Sequence, residues 1–396
     1  MIAKLKRCSE GGRLINMKLH TKGIAANIAE TIVGRVTRDS ENCENSSVFI
    51  IGNNEYGGQN NKAHLIQGNN VRRDITSPYV YAVPDLSHLQ GGDIISIDRK
   101  GNINTLYRVN SNFNTLLLTE RCNNNCLMCS QPPKTRNDIE SIFRIHKELI
   151  PLIPKDCCEL GITGGEPTLS GKLFFELLRL IKFELPETEI HILTNGRAFA
   201  WKENAERLAE LKHNRIMLGI PLYSDYYADH DYIVQAKNAF DQTVLGMHNL
   251  ANNNQRIELR VVLNKLTIPR LLKLSKFIYK NLPFVEHIAF MGLENVGMTL
   301  RNWKEVWIDP ADYLKELEEA VIFLDVFGFN ISIYNLQLCL LPTSLWKFAT
   351  KSISDWKNSY LPECERCLVK EHCGGFFSSN LSNQSKFIRP IDFNSE

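Results

Sequence analysis

Leu118-Thr-Glu-Arg-Cys122-Asn-Asn-Asn-Cys126-Leu-Met-Cys129 follows an apolar stretch, Thr115 to Thr119, that reads as a β-strand. The spacing is C-x3-C-x2-C, so three thiolates of one loop can converge on one iron–sulfur cube. A four-iron cube is normally closed by four cysteines. Three leave one iron open, and an open coordination position marks a reactive metal site rather than a structural one. Zinc with a fourth ligand elsewhere, or plain buried thiols, are the competing readings of the spacing alone.

A second motif bears on that choice. Ile162-Thr-Gly-Gly-Glu-Pro-Thr-Leu169 follows another strand-like stretch, Glu159 to Thr163, and precedes an amphipathic helix. Gly164 and Gly165 have no Cβ, so the backbone there admits a ligand closely, and Glu166 sets a carboxylate beside the opening. By itself Gly-Gly-Glu is a common turn. Placed about forty residues after the cysteine loop, on the next strand, it supports the reactive-metal reading.

Outward from these motifs, strand and helix signals alternate from Asn114 to about Gly292. Strands are expected at Thr115–Thr119, Glu159–Thr163, Glu189–Leu193, Arg215–Leu222, Ile257–Leu263 and His287–Met291. A helix is expected over Arg136–Ile150, and another capped by Ser170 with Leu173, Leu177 and Ile181 along one face. Six strand–helix units predict an α/β fold with a parallel sheet and helices outside it. In β/α barrels the chemistry gathers at the C-terminal strand ends. The cysteine loop, the Gly-Gly-Glu turn and Thr194-Asn195-Gly196 all fall there.

Before residue 112 the pattern is different. Ser47 to Gly52 reads as a strand, 53–61 as a loop, and Asp93–Asp98 with Ile103–Tyr107 as a hairpin around Lys100-Gly101-Asn102. The expected organisation is a small β-rich domain over 1–112, a barrel over 113–308, a cysteine-bearing extension over 309–378 and a polar, mobile tail over 379–396. That extension holds Cys364, Cys367 and Cys373 at C-x2-C-x5-C spacing, with Cys339 upstream. Four thiolates in two patches can complete a closed cluster or a zinc site.

Composition sets outer bounds. The 396 residues allow two or three domains. Lys and Arg number 46 against 44 Asp and Glu, so no charge excess points to nucleic acid or an anionic membrane. No apolar run is long enough to span a bilayer. Met1 to Cys8 carries charge with no apolar segment behind it, unlike a secretory signal, so a cytoplasmic location is expected. In that compartment eleven cysteines suggest metal ligands rather than disulfides. Among single residues, His191 reads as a core histidine, and Cys157 and Cys158 read as buried inert thiols. His230, Asp231 and Glu294 lie beyond strand ends and read by default as solvated loop residues, with proton exchange with a substrate as the functional alternative.

The paired motifs resemble those of the radical S-adenosylmethionine (radical SAM) superfamily. The resemblance implies a partial (β/α)6 barrel and a [4Fe–4S] cluster on Cys122, Cys126 and Cys129 whose open iron chelates SAM. Electron transfer then cleaves SAM to a 5′-deoxyadenosyl radical. It further implies that Gly164, Gly165 and Glu166 receive the ammonium of SAM, and that Asn195 lines the cofactor cleft. Many relatives end the fourth strand in Ile-Ser-Leu-Asp-Gly; here Ile220-Pro-Leu-Tyr-Ser224 leaves Tyr223 or Ser224 to contact the ribose. The terminal cysteines resemble the SPASM and twitch extensions of peptide-modifying members, which carry auxiliary [4Fe–4S] clusters, without the usual following Cys-x3-Cys element.

Longer strings are similar to the C-type maturases of the His-Xaa-Ser system. They are Leu118 to Pro133, Ile220 to Ser224 with His230-Asp-Tyr-Ile233, and Phe290-Met-Gly-Leu-Glu294. This implies a ribosomally made peptide with His-Xaa-Ser repeats as substrate, a sister radical SAM protein, and an electron donor such as flavodoxin or ferredoxin. A radical SAM enzyme for a small molecule such as a pterin or deazapurine, and a non-enzymatic metal-stabilised binding protein, are the alternatives.

Overall fold

The computed structural model describes residues 18–38, 47–51, 61–68, 76–351, 359–381 and 383–392. Met1 to Cys8 and nearly all of the 53–61 loop lie outside them. A first sheet contains β1 (His20–Lys22), β2 (Ile24–Ala26), β3 (Ile32–Thr37), β4 (Ser47–Ile51), β5 (Ala63–Gln67), β6 (Tyr79–Val83), β7 (Ile94–Ile97) and β8 (Asn102–Tyr107). Its order is β1-β8-β7-β3-β4-β5-β6-β2. The expected hairpin is β7–β8, and Asp98 fixes its turn by accepting from the Lys100 and Asn102 amides at 2.8 and 3.0 Å. Unlike the hairpin, β3 through β6 pair in parallel.

One segment carries both edges of this sheet. β1 pairs with β8, β2 pairs with β6, and only Gly23 separates them. The Gly23 amide donates to Gly101 O at 3.0 Å, and a Cβ at Gly23 would collide with the carbonyl of Tyr81. The sheet therefore rolls back on itself at a residue that must be glycine. Val36, Val48, Leu65, Val80, Ile95, Ile97 and Ile103 pack inside the roll.

The second sheet runs β9 (Asn114–Leu117), β10 (Glu159–Thr163), β11 (Glu189–Leu193), β12 (Ile216–Pro221), β13 (Arg256–Leu263), β14 (His287–Gly292), β15 (Ile331–Tyr334) and β16 (Ala349–Thr350). Its order follows the chain, and every neighbouring pair is parallel. Six of these are the expected strands, with ends shifted by a residue or two; β15 and β16 extend the sheet beyond them. The helices are α1 (Ile139–Leu149), α2 (Lys172–Glu184), α3 (Lys202–Ala209), α4 (Tyr227–Val234), α5 (Ala239–Asn252), α6 (Leu271–Asn281), α7 (Met298–Arg301), α8 (Trp303–Val306) and α9 (Leu314–Val326). Strand alternation turns Leu160, Ile162, Ile190, Ile192, Leu218, Ile220, Leu259, Val261, Ile288 and Phe290 into the core shared with the helices. The opposite face carries Glu159, His191, Glu258, Arg260 and His287, so the inside of the curved sheet is polar.

Two local expectations change. Ser170 does not cap α2: Pro167–Ser170 is a 3-10 turn capped by Glu166, and α2 begins after Gly171. The tail is docked. Asn295 Nδ2 donates to Asn383 O at 2.7 Å, Asn380 Nδ2 donates to Leu293 O at 3.0 Å, and Leu368 N donates to Ile391 O at 2.9 Å. The buried N–H donors of Asn295 need partners, and the tail supplies them. Gly23→Ala should destabilise the first sheet by about 1–3 kcal/mol, as overpacking does. Hydrogen exchange would show this as lost protection in β6 and β8 with the parallel sheet unaffected; unchanged protection would contradict the rolled closure.

Candidate functional site

The cysteine loop leaves β9 and passes directly over the Gly-Gly-Glu turn that ends β10. Gly165 N donates to Thr119 O and Glu166 N donates to Arg121 O, each at 2.7 Å. A Cβ on Gly165 would strike the Arg121 carbonyl, and one on Gly164 would stand 2.7 Å from Thr119 O. The glycines thus admit the cysteine loop itself, a closer neighbour than the ligand expected from sequence.

Glu166 is buried, and it ties two strand ends together. Its Oε1 accepts from Thr168 N at 3.0 Å, Thr168 Oγ1 at 2.7 Å and Thr194 Oγ1 at 2.7 Å; its Oε2 accepts from Asn195 N at 2.6 Å. Burial pushes its carboxyl above the ordinary range, and these bonds pull the other way. Asn195 Nδ2 donates to Asn123 Oδ1 at 2.6 Å, inside the cysteine loop. Arg197, not singled out from sequence, donates to Asn123 O at 2.8 Å, Asn124 Oδ1 at 2.6 Å and Gln242 Oε1 at 2.7 Å. A basic residue one step past the left-handed Gly196 was the available signal.

The far side of the loop is held as well. Asn125 N and Leu127 N donate to Val234 O and Ile233 O of α4 at 3.0 and 2.9 Å. Met298 N donates to Cys129 O at 2.8 Å, and Asn302 Nδ2 donates to Leu127 O at 2.8 Å. Gly297 lies against this segment so closely that a Cβ would stand 2.7 Å from Ser130 O.

Cys122, Cys126 and Cys129 are brought together. Burial pushes the Cys122 thiol up to about 11 and the Cys126 thiol up to about 12; Cys126 feels the charge of both other cysteines, and Cys122 that of Cys129. Burial raises Cys129 too, while its Sγ donates to Gln131 O at 3.0 Å. Among the described residues no three His, Cys, Asp or Glu side chains converge on the point a single metal ion would occupy. A cube held through separate irons does not ask for that convergence. Three thiols of one half-buried loop, pinned on every side, are a donor set that fits a [4Fe–4S] cluster with one open iron.

Other expected residues fall elsewhere. Ser224 is 1% exposed, and its hydroxyl accepts from Tyr226 N at 3.1 Å in the turn before α4. Tyr223 is buried against Met128 and stacks on His230 with ring centroids 5.7 Å apart. His230 is a buried helix residue rather than a solvated one: burial pulls its imidazole down to about 4, and Nδ1 accepts from Tyr223 N at 3.3 Å. Asp231 accepts from Phe240 N at 2.8 Å. Cys158 is exposed and Cys157 half-buried, because both sit at the rim where β10 begins. His191 faces the polar interior of the sheet, not the apolar core.

Cys339, Cys364, Cys367 and Cys373 line one small cavity. Burial pushes the Cys339 thiol up to about 11, and the other three cysteines add to the rise. Cys367 N donates to Cys364 O at 3.1 Å and Cys373 N to Lys370 O at 3.1 Å, so tight turns present these thiols. The tail closes the group: Ile391 N donates to Cys367 Sγ at 3.4 Å.

Gly165→Ala should displace the cysteine loop, because a backbone carbonyl occupies the space its methyl needs. Iron retained after anaerobic reconstitution should fall by about half or more, since the overpacked seam loses about 1–3 kcal/mol. Full iron retention at unchanged stability would show that the seam does not position the cysteines.

Residues 116–278 match the family model of the Radical SAM superfamily. No curated protein matches the sequence. Among solved structures, SuiB of Streptococcus suis bound to S-adenosylmethionine is similar at 14% identity over 60% of this chain and 52% of that chain, with a TM-score of 0.45. anSMEcpe with bound AdoMet is similar at 19% identity over 55% of this chain and 62% of that chain, with a TM-score of 0.44. TYW1 with a lysine–pyruvate adduct bound is similar at 18% identity over 54% and 72%, with a TM-score of 0.35. The chain spans about half the length of SuiB, and at such TM-scores these likenesses carry no further weight. The family match covers the cysteine loop, the Gly-Gly-Glu turn and five of the parallel strands, so the chain carries the domain of the radical SAM enzymes, whose cofactors are a [4Fe–4S] cluster and S-adenosylmethionine.

Proposed function

We propose that this chain cleaves SAM reductively and uses the product radical to modify a ribosomally made peptide, one with His-Xaa-Ser repeats. The observation that carries the cleavage is the pinned three-cysteine loop on the Gly-Gly-Glu turn. Cys122, Cys126 and Cys129 would hold the [4Fe–4S] cluster, which when bound supplies the electron that splits SAM into methionine and a 5′-deoxyadenosyl radical.

The chain's own residues bind and orient. Among the described residues Glu166 Oε2 accepts only from Asn195 N, so it retains a lone pair for an ammonium. Thr168 and Thr194 fix that carboxylate from the other oxygen. Asn195 and Arg197 keep Asn123 and Asn124 in place, and with them the spacing between Cys122 and Cys126.

A peptide substrate is supported by the strings shared with the His-Xaa-Ser maturases and by the gathered terminal cysteines. We assign Cys339, Cys364, Cys367 and Cys373 to one auxiliary cluster. A sister radical SAM protein, a flavodoxin or ferredoxin as electron donor and a cytoplasmic location complete the reading. Among the described residues no helix is long and apolar enough to cross a membrane.

Anaerobically reconstituted protein should bind about eight irons, and the Cys364, Cys367, Cys373 triple Ala variant about four. The triple variant should still form 5′-deoxyadenosine from SAM and dithionite but leave the repeat peptide unmodified. Cys126→Ala should form none. Normal cleavage by Cys126→Ala would overturn the cofactor assignment, and peptide modification by the triple variant at full rate would remove the terminal cysteines from catalysis.

A further inference from the structure

The curved parallel sheet encloses a cavity of about 580 Å³. It runs the height of the sheet, from Glu159 and Arg256 at the N-terminal strand ends to Leu193 and Met291 at the C-terminal ends beneath the cofactor loop. Its size and mixed lining suit a ligand chamber.

Nearly every charge on its wall is already matched. His287 Nδ1 lies 2.8 Å from Glu258 Oε2, His191 Nε2 lies 3.3 Å from Oε1, and Arg260 Nε lies 3.6 Å from Oε1. Burial opposes ionisation of Glu258, and these partners more than reverse it, holding its carboxyl well below the ordinary range. The His191 contact crosses an intervening strand, and it does so over Gly219. A Cβ there would stand 3.0 Å from His191 Nε2 and 3.1 Å from Arg260 Cδ. Arg256 is matched in turn by Glu189 at 3.2 Å and Glu286 at 3.0 Å.

Glu159 is the exception. It lines the same cavity, and among the described residues no hydrogen bond or ion pair reaches its carboxylate. Burial pushes that carboxyl above its ordinary range, the charge of His191 pulls the other way, and Glu189 and Glu258 add to the rise. A half-buried carboxylate facing a cavity with no hydrogen bond or ion pair of its own leaves room for a cation from outside.

We infer that this cavity takes a basic side chain of the substrate, with Glu159 as its counter-charge and the His191–Glu258–Arg260 group as a fixed wall. The inference rests on the radical SAM reading, and deepens it by naming what the chamber selects. The distances agree. Glu159 lies four residues below Thr163, or about 13 Å along the strand. An extended lysine or arginine stem covers about half of that, so its backbone would lie in the upper chamber, beneath the cysteine loop.

The test uses the full chain, reconstituted anaerobically with SAM, and probe peptides acetyl-Gly-Gly-Xaa-Gly-Gly-amide with Xaa Lys, Arg, His, Glu or Leu. Affinities are read by ligand-observed NMR. The basic peptides should bind about ten-fold or more tightly than the Leu and Glu peptides, as a charge-assisted bond predicts. Glu159→Gln should erase that preference, and Glu159→Lys should shift it to the Glu peptide. Equal binding of all five peptides to the unaltered protein overturns the inference, whether or not the variants fold. So does a preference that survives in an iron-loaded Glu159→Gln protein. Failure of the radical SAM reading would show separately, as absence of 5′-deoxyadenosine with or without peptide.

Discussion

Two backbone hydrogen bonds, Gly165 N to Thr119 O and Glu166 N to Arg121 O, join the loop after the first parallel strand to the turn after the second. They require two chain segments to touch with no side chain between them, a condition that Gly164 and Gly165 satisfy. From that seam the rest of the site follows. Glu166 is fixed where it can cap its own 3-10 turn and bond the third strand end. The third strand end then reaches back through Asn195 and Arg197 to the cysteine loop. Three consecutive strand ends thus form one closed ring of contacts around the thiols.

The same sheet divides its two faces sharply. One buries a continuous aliphatic layer against the helices, which supplies most of the stabilisation, at about 25 cal/mol per Å² of apolar surface removed from water. The other keeps carboxylates, imidazoles and guanidinium groups facing a cavity. Such groups are poor contributors to stability. Their matching into Glu258 and Arg256 groups limits the cost and leaves Glu159 distinct.

Much of this was legible in the sequence because it is local. Cysteine spacing, the Gly-Gly-Glu turn and period-two apolar alternation each lie within a few residues, and they located the strands and the cysteine loop at their C-terminal ends. What the sequence hid was long-range. Gly165 meets Arg121, Gly219 makes room for His191 to reach Glu258, and Asn380 and Asn383 satisfy the loop after β14. A glycine inside a strand does signal a close approach, so Gly219 carried a clue without naming its neighbour. Ser170 was misread because a hydroxyl at an element boundary looks available until tertiary packing buries it. His230 was misplaced for the same cause. The polar composition of the tail suggested mobility, whereas Asn380 and Asn383 accept from the buried Asn295 and Asn380 donates to Leu293 O.

The central claim is that Cys122, Cys126 and Cys129 hold a [4Fe–4S] cluster with one iron left for SAM. Electron–nuclear double resonance on the reduced, reconstituted protein with SAM labelled with ¹⁵N at its amino group tests it most directly. The account predicts a ¹⁵N hyperfine coupling from direct iron–nitrogen ligation, which is lost in Cys126→Ala. A reduced cluster with no coupling to the labelled nitrogen would contradict it.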